Sequence, residues 1–230
     1  MNLDFSNDQK FLQEEARKFL EKENSINRNR GVLDSDHNTD AELWNKIVDL
    51  GWTGIRIPEE YGGLGLTHLE LCVIAEELGR FLAPVPFSSS VYLFTEAIIK
   101  YASEDIKQEI LPKLISGEVI GTLAVTEEFC APTASNMKTE VNNNLISGKK
   151  IAVPDAGIAT HSIIVVKSDS GISLQLINHS SDEVVVSHQE NIDESRGHFS
   201  ITLDNTPCKL IGDTSNGWDL FESLMDQAAV

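Results

Sequence analysis

The sequence predicts an α+β fold, with a helical domain over residues 1–120, an antiparallel β-sandwich or barrel over residues 121–215, and a further helix from residue 216. Two observations predict this order. In the first half, apolar residues recur at helical spacing behind helix-capping motifs, whereas after residue 121 short apolar runs alternate with polar turns. The length of 230 residues suffices for one large domain or two small ones.

Three capping motifs predict helix starts in the first half. In Ser6–Gln9, Thr39–Glu42 and Thr67–Glu70, a hydroxyl residue stands three positions before Gln or Glu, which is the pattern of a capping box. Gly51 and Gly79 follow the second and third apolar stretches, and we expect them to end those helices. Two more helices are predicted near residues 91–101 and 104–115, and the polar residues 24–38 are predicted to form a connection.

A glycine-rich loop joins the second and third of these helices and contains Gly62, Gly63 and Gly65. A dinucleotide-binding loop is disfavoured, because His68 stands where that motif needs glycine and no βαβ unit surrounds it. We therefore expect positive φ at these three glycines in a tight connection.

Strands are predicted in the second half from the spacing of apolar runs. They cover residues 122–125, 162–166, 172–177, 183–187 and 198–203, with turn residues such as Asn142–Asn144 between them.

Composition excludes several classes of protein. The net charge of −18 disfavours nucleic-acid and anionic membrane partners, and no apolar run is long enough to span a bilayer.

The N-terminus resembles neither a signal nor a transit peptide, so a cytoplasmic location is expected. Three isolated cysteines indicate no disulfide, and Cys130 is expected to be a small buried side chain rather than a reactive thiol. The six histidines, His37 among them, show no metal-ligand spacing, so no metal site is predicted.

The stretch Gly121–Lys150 is the central functional candidate. An apolar strand runs into Thr126-Glu127, a loop of small residues follows, and a return strand ends in Ser-Gly-Lys-Lys. Together with the runs IPEEYGGLGL and AEELGR, this TE…GxK segment resembles the acyl-CoA dehydrogenase family.

That resemblance implies an acyl-CoA substrate, FAD as hydride acceptor, an electron-transfer flavoprotein as partner, and a homo- or hetero-oligomer. By position it implies that Val125 and Thr126 contact the flavin and that Ser135 contacts the pyrophosphate. It also implies that residues 216–230 start a C-terminal helical domain, and that the catalytic glutamate of the family has no counterpart here.

The sequence departs from the family where Ala152 and Pro154 replace an aromatic residue and a hydroxyl residue beside the flavin. Divergent heteromeric members that act on sterol side chains relax this region, so a bulky acyl-CoA is a candidate substrate. The alternative is a non-catalytic, flavin-poor subunit that supports a catalytic chain.

Two further expectations concern the loop Asp193–Arg196 and the last helix. We expect Asp193 and Arg196 to form an ion pair that orders the loop, rather than a catalytic pair. Phe221, Leu224, Met225 and Ala228 share one helical face, with Trp218 beside them. We expect a partner or self-association to cover this face, the alternative being that the helix folds back onto the β domain.

Overall fold

A computed structural model describes residues 4–33, 35 and 38–229 of the chain, and its helical half followed by a β domain confirms the predicted fold class. His37 and Val230 lie outside the described residues. The helices are α1 (Asn7–Glu23), α2 (Ile26–Leu33), α3 (Ala41–Asp49), α4 (His68–Arg80), α5 (Glu96–Tyr101), α6 (Glu104–Ile115) and α7 (Gly217–Ala228), and a π-helix (Ser88–Thr95) leads into α5. The strands are β1 (Gly121–Ala124), β2 (Glu140–Asn142), β3 (Leu145–Pro154), β4 (His161–Ser168), β5 (Gly171–Asn178), β6 (Val184–Gln189), β7 (His198–Pro207) and β8 (Lys209–Ile211).

The predicted helix starts are correct at α1 and α4, where Ser6 and Thr67 form complete capping boxes. At α3 the prediction is wrong by one residue, because Asp40 caps the helix by accepting a hydrogen bond from the Leu43 N–H at 2.9 Å. Local pattern alone does not distinguish adjacent Thr and Asp residues, which are both good caps. The prediction that Gly79 ends α4 is also wrong, because the helix continues to Arg80.

Residues 26–33 form helix α2 rather than part of an irregular connection. Polar side chains hold this helix in place, which explains why an apolar pattern did not reveal it. Arg28 forms an ion pair with the buried Asp40, and the Asn29 side-chain amide donates to the carbonyls of Phe81 and Leu82.

The glycine-rich loop matches the expectation in two of three positions. Gly62 and Gly65 have φ of 89° and 60°. Gly63 is required for a different reason, because a Cβ there would lie 2.1 Å from the carbonyl oxygen of Ile57. The loop therefore needs glycine both for left-handed backbone and for close approach.

The strands form one mixed sheet in the order β6-β7-β3-β2-β4-β5-β8, and β1 also pairs with β4. Most neighbours are antiparallel, as predicted, whereas β1 and β2 each run parallel to β4. Lys150 on β3 contacts the Val125 carbonyl just after β1, so β3 brings the later end of the Gly121–Lys150 stretch back to its first strand.

Among the described residues, three apolar clusters make up the core. One lies among α1, α3, α4 and the π-helix, one lies within the sheet, and the largest joins α5 and α6 to β1, β4, β5 and α7. Phe221 and Leu224 of α7 belong to this joining cluster and are 7% and 0% exposed. The helix therefore folds back onto the chain, and the expectation of an uncovered α7 face is wrong for these two residues. No helix within the described ranges is long and apolar enough to cross a membrane.

Candidate functional site

The candidate site lies where the chain leaves β1 and passes beside the middle of β3. The Ile151 N–H donates to the Thr126 carbonyl at 2.8 Å, and the Lys150 ammonium donates to the Val125 carbonyl at 3.1 Å. Two contacts from β3 thus fix the backbone on both sides of the Thr126 amide.

A buried ion pair supports this strand end. Lys150 Nζ lies 2.7 Å from Glu127 Oε1, and the two side chains are 0% and 6% exposed. Burial lowers the pKa of Lys150 to about 8, against the opposing hydrogen bond and charge of Glu127, so the ammonium is still charged at pH 7. Burial raises the pKa of Glu127, but hydrogen bonds from Lys150 and from the Thr139 N–H outweigh it and leave that pKa lowered.

Glu127 and Glu128 point to different surroundings, as expected for neighbours on an extended chain. Glu127 faces the interior, whereas Glu128 is exposed and pairs with Lys138. The two carboxylates therefore cannot act together on one substrate atom.

A β-bulge shapes the opposite wall of the site. The register between β3 and β7 shifts between Lys150 and Val153, and Ala152 within the shift has a φ of 51°. The bulge turns the Ala152 N–H out of the ladder, where it donates to the side-chain oxygen of Gln189 at 2.7 Å. Bulges next to functional sites commonly redirect backbone and side chains in this way.

Between the strand end and the bulge lies a cavity of about 560 Å³, which we call the Thr126 cavity. Its size is ordinary for a small-molecule site. The residues that line it are Thr126, Glu128, Phe129, Cys130, Ala131, Ile151, Ala152, Gln189, Glu190, Asn191 and His198.

The predicted cofactor residues are only partly brought together. Thr126 lines the cavity, and its hydroxyl has no hydrogen-bond partner within the described residues. Val125 packs against the joining core cluster, with its carbonyl held by Lys150. Ser135 lies on an exposed turn 3.1 Å from the Thr133 hydroxyl and is not among the cavity-lining residues. The flavin contacts of all three residues stay a prediction.

Cys130 is exposed and lines the cavity, so the expectation of a buried side chain is wrong. The surrounding loop is packed through hydrogen bonds, such as that from Asn136 to the Ala131 carbonyl, and not through an apolar interior. Phe129 beside it is fully exposed.

The expected pair of Asp193 and Arg196 does not form. Asp193 instead accepts hydrogen bonds from the backbone and hydroxyl of Ser195. Arg196 lies 2.6 Å from the buried Asp155, which also accepts a hydrogen bond from the Ser89 hydroxyl at 2.5 Å. Arg196 thus ties its loop to the end of β3 and to the π-helix, because a buried carboxylate is a stronger partner than an exposed one.

The resemblance implies FAD as cofactor, and the residues of this cavity fit the flavin ring of FAD. The Thr126 hydroxyl and the side chains of Ile151 and Ala152 line the cavity, and they offer a polar group and apolar surface to the edge and face of a flavin ring. The charged lining residues, Glu128 and Glu190, are acidic, and no Lys or Arg lines the cavity within the described part of the chain. A pyrophosphate therefore finds no cationic partner among the lining residues.

No cluster of three or more His, Cys, Asp or Glu side chains that could hold a metal ion is found in the described ranges.

Lys150 and Gln189 were not predicted from the sequence to support the site. The position of Lys150 in the sequence could have indicated its role. It lies on the same inward face of β3 as Ile146, and a buried lysine needs a carboxylate partner. Gln189 carries no comparable signal, because its contact depends on the bulge in another strand.

The sequence model "Acyl-CoA dehydrogenase, N-terminal domain" matches residues 6–118. Among curated proteins, mitochondrial isovaleryl-CoA dehydrogenase of Solanum tuberosum is 32% identical over 136 residues, which are 56% of this chain and 33% of that protein. The chain thus matches about a third of the length of this relative.

Solved structures cover nearly the whole chain. The Tcur3481–Tcur3483 steroid ACAD superposes with a TM-score of 0.84 at 26% identity, covering 96% of this chain and 60% of that one. An acyl-CoA dehydrogenase of Bacillus anthracis, complexed with FAD, superposes with a TM-score of 0.89 at 22% identity, covering 98% of this chain and 40% of that one. The second likeness, at this identity, concerns the fold alone.

Proposed function

Because this chain belongs to the acyl-CoA dehydrogenase family over its N-terminal and middle parts, we propose that it is an FAD-dependent oxidoreductase component for α,β-dehydrogenation of an acyl-CoA. The proposal includes the domain division at residues 120 and 215, cytoplasmic location, an electron-transfer flavoprotein as onward partner, and assembly into a homo- or hetero-oligomer. The steroid ACAD (acyl-CoA dehydrogenase) is named by two components and by a steroid. The first part of that name supports a hetero-oligomer, and the second supports a bulky acyl group.

The proposal depends on one observation, the position of Thr126 just after β1 at the edge of the Thr126 cavity. Its backbone is fixed on both sides by β3, and its hydroxyl is left without a partner in a cavity of about 560 Å³. Polar groups that are already fixed in a cavity orient a ligand without a large loss of side-chain entropy. We propose that Val125 and Thr126 contact the edge of the flavin, and that Ser135 contacts the pyrophosphate.

FAD, when bound, would supply the acceptor for a hydride from the acyl β-carbon. In this chain, Lys150 and Glu127 hold the strand end in place, and the Gln189–Ala152 contact sets the opposite wall. We assign no residue as the base that removes the α-proton, and propose that this group comes from outside residues 1–230.

A second candidate function is a flavin-poor subunit that supports a catalytic chain. It is favoured by Ala152, which places no aromatic ring on the cavity wall, and by Glu128 and Glu190, whose charges oppose a pyrophosphate. Loss of a ring stack removes roughly 0.5–1.5 kcal/mol of cofactor binding.

A flavin titration separates the two functions. We expect the purified chain to bind FAD, and Thr126→Val to weaken binding about three- to tenfold, since one hydrogen bond is worth roughly 0.5–1.5 kcal/mol. Thr202→Val, at an exposed position on β7, is the matched control and should bind FAD as the wild type does. A chain that takes up no FAD supports the second function, and equal affinity of wild type and Thr126→Val removes Thr126 from the site.

A further inference from the structure

Gln189 is the last residue of β6, and its side chain reaches the bulge of β3. In the sheet, β7 lies between β6 and β3, so the side chain passes over β7 to arrive there. Its Oε1 accepts a hydrogen bond from the Ala152 N–H at 2.7 Å. Gln189 and Ala152 both line the Thr126 cavity, so this contact lies in the cavity wall.

The bulge determines which end of the Gln189 amide faces Ala152. A backbone N–H can only donate, so it must meet the oxygen of the side-chain amide and not its NH2 group. The Ala152 N–H is held in this direction by the register shift between β3 and β7 and by the φ of 51° at Ala152. The backbone of Gln189 is held as well, because Gln189 pairs with His198 on β7. The amide is therefore oriented before any ligand binds.

The NH2 group of this oriented amide is left without a protein partner. Its nitrogen, Nε2, has no hydrogen bond within the described residues, although the oxygen of the same amide has one. Two N–H donors at a fixed position in a cavity wall can meet an acceptor of a ligand with little loss of side-chain entropy.

Several neighbouring polar groups are less suited to donate. Glu128 and Glu190 carry carboxylates, which as ions can only accept. The amide nitrogen of Asn191 lies 2.9 Å from the His198 ring nitrogen Nδ1, so it already has a partner beside the cavity. Thr126 and Gln189 thus offer hydroxyl and amide donors from two different walls.

We propose that Gln189 is a ligand-binding residue of the Thr126 cavity, and that its NH2 group donates a hydrogen bond to a carbonyl oxygen of the flavin ring. The inference rests on the proposed function and deepens it, because it takes the ligand to be FAD. A neutral amide donor suits the neutral carbonyl groups of that ring. The ring itself carries no phosphate, so the charges of Glu128 and Glu190 do not oppose its binding as they oppose a pyrophosphate.

The test is a fluorescence titration of the 230-residue chain with FAD and with riboflavin, which carries the flavin ring but no phosphate. Gln189→Glu keeps an oxygen for the Ala152 N–H and removes the NH2 group. Its affinity for riboflavin should fall about tenfold or more, since an acceptor then faces an acceptor. Gln189→Met removes the amide without adding a charge and should lower the affinity about three- to tenfold.

Two controls separate the ligand contact from effects on the fold and on net charge. Gln108→Glu makes the same chemical change at an exposed position on α6 and should bind riboflavin as the wild type does. Hydrogen exchange of the Ala152 amide should stay slow in Gln189→Glu and become faster in Gln189→Met, which shows whether the bulge contact is kept. Gln189 is half-buried at the end of an edge strand, so we expect both variants to fold.

The pattern across the variants decides the inference. If Gln189→Glu binds riboflavin like the wild type and only Gln189→Met binds it less well, Gln189 acts through the bulge alone and the inference is wrong. A loss in Gln189→Glu without a loss in Gln189→Met would assign the effect to the added charge, and this result also overturns it. Where riboflavin binds the wild type too weakly to measure, the same ranking is required of FAD.

Failure of the inference differs from failure of the proposed function. A wild type that binds FAD, together with variants that bind as it does, leaves the proposed function in place without a role for Gln189. A wild type that binds neither FAD nor riboflavin contradicts the proposed function, and the inference fails with it.

Discussion

Replacing Lys150 by Met should destabilise the protein by about 3 kcal/mol, because it leaves the buried Glu127 carboxylate without its cation. Breaking a buried ion pair by removing one partner costs roughly 3–5 kcal/mol. The lower end applies here, since Glu127 keeps hydrogen bonds from the backbone N–H groups of Lys138 and Thr139 at 2.6 and 3.0 Å. Methionine fills much of the volume of the lysine stem, so the change tests charge more than packing.

Urea denaturation at pH 7 measures this loss as a lower transition midpoint at an unchanged m-value. The double variant Lys150→Met with Glu127→Gln should recover about 1–3 kcal/mol relative to the sum of the single changes, because neither charge is then left alone. Lys138→Met, which removes the cation of an exposed pair with Glu128, is the matched control and should leave the midpoint unchanged within error. If Lys150→Met is as stable as Lys138→Met, the pair is hydrated in solution and the argument from burial is wrong.

The remaining predictions concern the loop, a buried histidine and the last helix. Arg196→Ala should lower the free energy of unfolding by about 2–3 kcal/mol, because its carboxylate partner Asp155 is buried. Asp193→Ala should leave the free energy of unfolding unchanged, because Asp193 contacts only its neighbour Ser195. Equal effects of the two changes would contradict the observed pairing. Burial lowers the pKa of His179 to about 4. Below pH 6.5 the histidine therefore takes up a proton in the unfolded chain but not in the folded one. The free energy of unfolding should fall by about 2–3 kcal/mol between pH 6.5 and 4. His179→Gln should flatten that part of a pH series of denaturation curves, and an unchanged slope would exclude this residue as the cause. Leu224→Ala should cost about 2–5 kcal/mol and Met225→Ala less than about 1 kcal/mol, and similar small losses would mean that α7 is not packed as described.

Much of the fold could be predicted because its signals are local. The capping boxes at Ser6 and Thr67 involve groups three residues apart, and the apolar runs of β4, β5 and β7 define those strands directly. Helix α2 could not be predicted in this way, because its anchors are side-chain contacts to Asp40 and to the carbonyls of residues 81–82.

The candidate site could be predicted less well than the fold. The resemblance pointed to Thr126, and the structure does place it at a cavity. The groups that hold it are separated along the chain: Lys150 contacts residues 23 and 25 positions away, and Arg196 pairs 41 positions away. An alternating pattern gives the face on which a side chain lies but not its partner in a distant element, so the sequence suggested Asp193, three positions away, as the partner of Arg196.

The buried charges explain why the two halves of this chain form one structure. Asp155 at the end of β3 accepts from Ser89 on the π-helix and pairs with Arg196, and Glu96 at the start of α5 pairs with Arg56 and accepts from Gln227 of α7. Each carboxylate is almost completely buried, so each contact resists separation of the elements it joins. Because these contacts and the joining apolar cluster include α7, the helix that the sequence suggested would lie uncovered is part of the same folded unit. The oligomer prediction therefore does not depend on an unpaired α7 face, and it is supported by the family resemblance and by the two-component name of the steroid ACAD.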